Sequence, residues 1–237
     1  MSVYVYSIIS KAHPTNLDGL HGVGKPPGEL RTVTTAALSA VVSDAPEDLR
    51  PRRRDVLAHQ EVQERLMADG PVLPLRFGLT APDDDTVRTA LDERAEEYRG
   101  RLDALEGCAE YHLKVSWEEE ALLRRILVES EEAARLNKQI RDGSGTPEMP
   151  LALGELISRE VEARQRALGA GIVEALRPFA REDDSVPPTG QDFLSVSFLV
   201  EEGQEEMFLA TQLSLANQLG DECDLRLRGP LPPYSFV

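Results

Sequence analysis

The stretch Pro71-Val-Leu-Pro-Leu-Arg-Phe-Gly78 organises the N-terminal half of this chain. It is an apolar run of strand length, and Gly70 and Gly78 mark its two ends. Because proline donates no hydrogen bond to a neighbouring strand, Pro71 and Pro74 predict an edge strand, or a central strand bent at Pro74. A helical pattern lies on each side of the run, so we expect this strand to close the first domain.

Arg76 is the only charged residue inside this run. Its side chain either points off the sheet into water, as most arginines do, or pairs with an acidic neighbour and fixes the chain where the two halves meet. The sequence leaves both alternatives open.

The rest of the first half predicts three strands and two helices. The strands are expected at residues 3–9, 29–35 and 37–43, and the helices at residues 51–69 and 82–107. The acidic residues Asp83, Asp84 and Asp85 stand at the start of the second helix. Acids in that position cap free N–H groups, so this triplet indicates a helix start rather than a metal site.

The second half predicts a strand, a helical hairpin, a strand, a helix and a last strand. The strands are expected at residues 111–117, 193–200 and 223–228, and the later helix at residues 201–219. Two long helices, at residues 118–141 and 151–176, form the hairpin at about 118–178. The predicted fold is α+β, with two modified ferredoxin-like domains at residues 1–107 and 108–237. The second domain carries the long antiparallel hairpin and a proline-rich C-terminal tail.

Composition excludes several classes of protein. The formal net charge of −16 argues against a nucleic-acid partner and against binding to an anionic membrane. No basic leader or apolar stretch of membrane-spanning length is visible, and two cysteines cannot build a disulfide framework. We therefore expect a cytoplasmic protein with free thiols.

Short motifs do not predict an enzyme. Residues 19–25, Gly-Leu-His-Gly-Val-Gly-Lys, match the first seven positions of a phosphate-binding loop, but Pro26 stands where the next position needs a hydroxyl. No HExxH, CxxC or G-x-S-x-G pattern occurs. The four histidines lie on separate predicted elements: His13, His21, His59 and His112. We expect no catalytic site, no cofactor and no bound metal, and we expect His59 to be a packed or partly exposed helix residue.

The chain ends Gly229-Pro-Leu-Pro-Pro-Tyr-Ser-Phe-Val237. Pro230 and Pro233 form a PxxP pattern, which is a ligand for aromatic grooves. The same prolines, with Tyr234 and Phe236, also suit a stiff apolar tail that packs back onto the protein, and we favour this second interpretation.

In several of these stretches, the chain resembles the gas vesicle accessory proteins of the GvpF/GvpL family. Four segments carry the resemblance, in the order in which the family has them: Val3-Tyr-Val-Tyr-Ser-Ile8, Ala40-Val-Val-Ser43, Val72-Leu-Pro-Leu-Arg-Phe-Gly78 and Gly229-Pro-Leu-Pro-Pro-Tyr-Ser-Phe236. One departure is Leu79-Thr80, where the family usually continues with a threonine and then an apolar residue.

The resemblance implies a non-enzymatic protein that takes part in building gas vesicles, which are hollow protein shells that hold gas. It implies binding to the very hydrophobic shell subunit GvpA, and to other vesicle accessory proteins, in the cytoplasm and in association with vesicles. It also implies two modified ferredoxin-like domains.

We predict a binding site at the strand edge and the tail. The residues expected to contact a partner are Val72, Leu73, Leu75, Arg76, Phe77, Tyr234 and Phe236. A free edge here offers a place for a strand of the partner to pair, and the helical hairpin is the alternative face. The alternative function is a general scaffold without the shell subunit as its client.

Overall fold

In the computed structural model, which describes residues 2–237, the chain divides into two units. Unit 1 comprises the residues up to Glu110 together with Gly229–Val237, and unit 2 comprises Tyr111–Arg228. The tail, which the sequence places in the second domain, therefore groups with the first unit, because its contacts are not local in sequence.

The sheet of unit 1 contains the predicted strands. Its strands are β1 (Val3–Ser10), β2 (Arg31–Thr34), β3 (Leu38–Asp44), β4 (Val72–Pro74) and β5 (Thr80–Ala81). The order is β2-β3-β1-β4, and β5 also pairs with β1; all of these pairs are antiparallel. β4 lies at the end of this order, so the edge position is confirmed. The strand is shorter than predicted and stops at Pro74.

Three helices complete unit 1: α1 (Arg53–Asp69), α2 (Asp84–Glu93) and α3 (Ala95–Leu105). The side chain of Asp83 accepts a hydrogen bond from the Thr86 N–H, which confirms that the acidic triplet opens a helix. The single helix predicted for residues 82–107 was wrong, because the chain breaks at Arg94 (φ −119°, ψ 24°). The Arg94 guanidinium instead binds Glu97 and lies 5.1 Å from the ring centre of Tyr98.

Unit 1 has an interior in which aromatic and aliphatic side chains meet. Strand β1 supplies Tyr4, Tyr6 and Ile9, all fully buried. Strand β3 and helix α1 face them with Val41, Val62 and Leu66. Burial of this set is the main term that stabilises the unit.

The second sheet has the order β7-β8-β6-β9. The elements of this half are β6 (Cys108–Trp117), α4 (Glu119–Glu129), α5 (Glu131–Arg141), α6 (Met149–Leu176), β7 (Glu182–Ser185), β8 (Asp192–Glu201), α7 (Glu205–Leu219) and β9 (Cys223–Leu231). The alternation predicted for β6 is confirmed, since Tyr111, Leu113 and Val115 are buried. The α+β class is also confirmed, while the ferredoxin-like description of each half stays a prediction.

The first arm of the hairpin differs from the prediction. Residues 118–141 form two helices rather than one, with a break at Ser130. The Ser130 hydroxyl accepts a hydrogen bond of 3.3 Å from the Ala133 N–H and so caps α5. Helix α6, the second arm, has 28 residues and is about 42 Å long at about 1.5 Å per residue. The arms pack through an apolar cluster that includes Ile126, Leu136 and Leu156.

Candidate functional site

A chain of hydrogen bonds inside unit 1 fixes the segment that follows β4. The Tyr4 hydroxyl lies 2.9 Å from Nδ1 of His59 and accepts a hydrogen bond of 3.1 Å from the Gly78 N–H. Nε2 of His59 lies 3.0 Å from the carbonyl oxygen of Leu75. Because a carbonyl oxygen only accepts, Nε2 carries the proton and Nδ1 accepts from Tyr4. This tautomer makes the imidazole a neutral bridge, which we call the Tyr4–His59 brace.

Burial keeps both members of the brace neutral. The pKa of His59 is lowered, mainly because burial disfavours the imidazolium, while the hydrogen bond to the Leu75 carbonyl acts in the opposite direction. The pKa of Tyr4 is raised well above its ordinary value, again mainly by burial. A neutral imidazole and a neutral phenol suit a structural role.

Aromatic packing reinforces the brace. The ring of Phe77 meets the ring of Tyr4 edge-on at 5.8 Å between centres, and that of His59 at 5.7 Å. On another side, the ring of Tyr6 stacks on His59 at 5.6 Å with 24° between planes. The half-buried Phe77 is therefore an anchor that holds its neighbours in the chain at the surface.

The structure divides the predicted strand residues into buried and exposed ones. Val72 and Leu73 are buried, with 1% and 3% exposed, and Leu75 and Phe77 are half-buried. Arg76 is exposed, as the first of the two alternatives for its side chain expected. The following Leu79 is 47% exposed. We call residues 76–79 the exposed turn.

The edge of β4 has few accessible hydrogen-bonding groups with which a partner strand could pair. The Leu75 N–H donates to the Tyr6 carbonyl at 2.9 Å, and Leu73 lies opposite Ile8. Since hydrogen-bonding groups alternate along a strand, the groups of Val72 and Pro74 face away from β1. Proline has no N–H, so Val72 supplies the one outward donor of β4, and Val72 and Pro74 are both buried. The burial of this edge favours the exposed turn over strand pairing.

The tail is packed onto unit 1. The carboxylate of Glu110, which is 5% exposed, accepts hydrogen bonds from the Ser235 N–H at 2.9 Å and from the Ser235 hydroxyl at 2.7 Å. The Arg101 guanidinium donates to the carbonyl of Phe236, whose side chain is 3% exposed. The packed tail is thus confirmed over a free PxxP ligand. Phe236 has its role inside the fold.

Tyr234 is the half-buried residue of the tail. Burial raises its pKa to about 12, and the nearby carboxylates of Glu64 and Glu110 add to this effect. The pKa of Tyr4 is raised mainly by burial, and Tyr234 adds a smaller electrostatic contribution.

Two features of the site had no sequence signal. The bond between Tyr4 and His59 spans 55 residues, and the bonds between Glu110 and Ser235 span 125. Nothing in local spacing identifies such partners. Within residues 2–237, no group of three or more His, Cys, Asp or Glu side chains is arranged to hold a metal ion. No helix in the same range has the length and apolar character needed to cross a membrane.

Comparison with known proteins gives consistent results. The model of the family described as "Gas vesicle synthesis protein GvpL/GvpF" matches residues 2–237. "Gas vesicle protein F" of Streptomyces sp. (strain CB03234) is 44% identical over 238 residues and both chains are covered completely. "Gas vesicle protein F" of Dolichospermum flosaquae is 27% identical over 240 residues, covering 99% of this chain and 97% of the other.

Two crystal structures share the fold. That of GvpF from Anabaena sp. PCC7120 matches with a TM-score of 0.84 at 22% identity, and covers 99% of this chain and 97% of that one. That of GvpF from Microcystis aeruginosa matches with a TM-score of 0.81 at 23% identity, and covers 99% and 98%.

Proposed function

Because the chain belongs to the gas vesicle synthesis protein family GvpL/GvpF, and so has a role in gas vesicle formation, we propose that it is an assembly factor that binds the hydrophobic shell subunit GvpA. The observation that carries this proposal is the family match over residues 2–237. The proposal places the protein in the cytoplasm and on vesicles, with other vesicle accessory proteins as further partners. It assigns no catalytic step to the protein.

A physical argument supports this role. A subunit of a gas-filled shell must expose apolar surface before it is assembled, and such surface aggregates in water. A partner with a formal net charge of −16 stays dispersed and keeps a bound client in solution. When the subunit is released at the growing shell, its apolar contact with this protein is replaced by apolar contacts with neighbouring subunits.

We propose the exposed turn of unit 1 as the surface that meets the client. Leu79 offers an exposed apolar side chain, and Arg76 beside it offers a cation. The Tyr4–His59 brace and the Phe77 ring hold the turn in one conformation, which lowers the entropy lost on binding. In this proposal Val72, Leu73 and Phe236 support the surface through the fold, and the half-buried Tyr234 is a further candidate contact.

The test is co-purification of GvpA with the full-length protein when the two are co-expressed. We expect GvpA to co-purify with the wild type, and we expect Leu79→Ser to reduce the bound fraction severalfold. Leu151→Ser is the matched control, since Leu151 is an exposed leucine of α6 with 69% exposure. We expect this control to bind as the wild type does.

Two results would overturn parts of the proposal. Equal binding by the wild type and Leu79→Ser would remove the exposed turn from the interface. Failure of the folded wild type to retain GvpA would remove the client, and a census of cross-linked partners in cells would then favour the general scaffold.

A further inference from the structure

A large groove lies in unit 2, beside the base of the helical hairpin. Its volume is about 1170 Å³, and its lining comes from the end of β6, the start of α4, the middle of α6 and the loops before β8 and β9. Sites for small molecules usually have about 300–1000 Å³. The groove is therefore larger than most small-molecule sites, and its size suits a segment of polypeptide.

The floor of this groove is apolar. Leu122, Ile157 and Val161 line it, and Trp117 stands beside them. The same side chains belong to the cluster that joins the two arms of the hairpin, so the floor is well supported.

The rim of the groove is acidic. Six carboxylates line it, and no Lys, Arg or His side chain is among the lining residues: Glu118, Glu119, Glu120, Asp192, Asp221 and Asp224. Some of these acids have internal partners, since Asp192 and Asp224 both pair with Arg226, Asp192 also pairs with Lys114, and Glu118 caps α4. Glu119 and Asp221 make no ion pair in the described chain, and the nearest cation to Glu120 is Arg124 at 3.9 Å. The rim thus keeps unneutralised negative charge.

We propose that this groove binds a cationic amphipathic segment of a partner protein. Apolar side chains of the segment lie on the floor, and its Lys or Arg side chains pair with the acidic rim. The proposal concerns unit 2, whereas the exposed turn lies in unit 1. The groove proposal does not depend on the identity of the client that meets the exposed turn. A negative result for one proposal therefore leaves the other unaffected.

Trp117 makes the groove directly observable, because it is the single tryptophan of the chain. The probe is a synthetic helical peptide of leucine and lysine, without aromatic residues, with all lysines on one face. We expect titration with this peptide to shift the Trp117 emission to shorter wavelength in a saturating way. A peptide with glutamate in place of every lysine should leave the emission unchanged.

A pair of matched double variants separates the groove from the overall negative charge. Glu119→Gln with Glu120→Gln neutralises two rim acids in the first turn of α4. Glu131→Gln with Glu132→Gln removes the same charge from the first turn of α5, outside the groove lining. We expect the rim variant to raise the Kd for the lysine peptide about threefold to tenfold, and the control to leave it unchanged.

The proposal is overturned if the lysine peptide leaves the Trp117 emission unchanged. It is also overturned if both double variants weaken binding equally, since that result would show attraction to net charge only. Circular dichroism of both variants checks that the helical hairpin is intact.

Discussion

The hydroxyl of Tyr4 lies 2.9 Å from Nδ1 of His59, and this hydrogen bond joins the first strand of unit 1 to its first helix. The same two side chains bind the Gly78 N–H and the Leu75 carbonyl. The brace therefore ties the segment after β4 to the two elements at the centre of the unit. The conformation of the exposed turn depends on it.

Tyr4→Phe tests the contribution of the brace to stability. The substitution keeps the ring but leaves Nδ1 of His59 buried without a donor and the Gly78 N–H without its acceptor. We expect a loss of about 1–3 kcal/mol in the free energy of unfolding, measured by urea denaturation. Tyr98→Phe is the control, because the Tyr98 hydroxyl accepts only an exposed contact of 3.3 Å from Arg94. A control loss equal to that of Tyr4→Phe would contradict the brace.

His59 predicts a dependence of stability on pH. Burial holds its folded pKa below the ordinary value of about 6.5, so the unfolded chain takes up a proton at a higher pH than the folded protein does. The stabilising contribution is present above about pH 6.5 and is lost as the pH falls through that value towards the folded pKa. The free energy of unfolding should therefore decrease between about pH 7.5 and about pH 5.5, at no more than about 1.4 kcal/mol per pH unit for this one group.

The histidine variants identify the source of that dependence. His59→Gln should unfold more easily at every pH and should lose this part of the slope. His21→Gln, at an exposed histidine, should keep the slope of the wild type. An unchanged slope in His59→Gln would show that another group titrates in this range.

The correct parts of the sequence prediction rest on residues with strong local preferences. Pro74 predicts an edge strand because it has no N–H, and β4 is at the edge. Asp83 predicts a helix start because its carboxylate accepts from free N–H groups, and it caps α2. The family resemblance rests on four segments in order, and the family match covers the chain from residue 2 to 237.

The features that the sequence did not predict depend on tertiary contacts, which local residue preferences do not specify. The break at Arg94 has no glycine or proline to announce it, and the charged Glu182–Ser185 gives no strand pattern although it pairs with β8. The tail and the brace needed partners distant in sequence. The sequence did not predict the exposed turn, because Val72–Phe77 is a largely apolar run. Only the fold shows which residues of this run are buried and which are exposed.

Ser130→Ala tests whether the cap at Ser130 stabilises the break between α4 and α5. Its hydroxyl caps α5, so Ser130→Ala should lower the free energy of unfolding by about 1 kcal/mol. Ser158→Ala, at an exposed position of α6, should be neutral or slightly stabilising, because alanine is the better helix former. Urea denaturation measures both. A more stable Ser130→Ala would instead indicate that α4 and α5 join into one continuous helix.

Glu110→Ala tests how much the hydrogen bonds to Glu110 contribute to holding the C-terminal tail on the fold. Its buried carboxylate accepts both hydrogen bonds from Ser235, and hydrogen bonds to a charged group contribute about 1.5–3 kcal/mol each. Glu110→Ala removes both acceptors, so the tail should open more often and carboxypeptidase should shorten the chain faster, as read by intact mass. Glu106→Ala, at an exposed glutamate, should be trimmed at the rate of the wild type. Equal trimming of all three proteins would mean that the burial of Phe236 and the prolines before it holds the tail without Glu110.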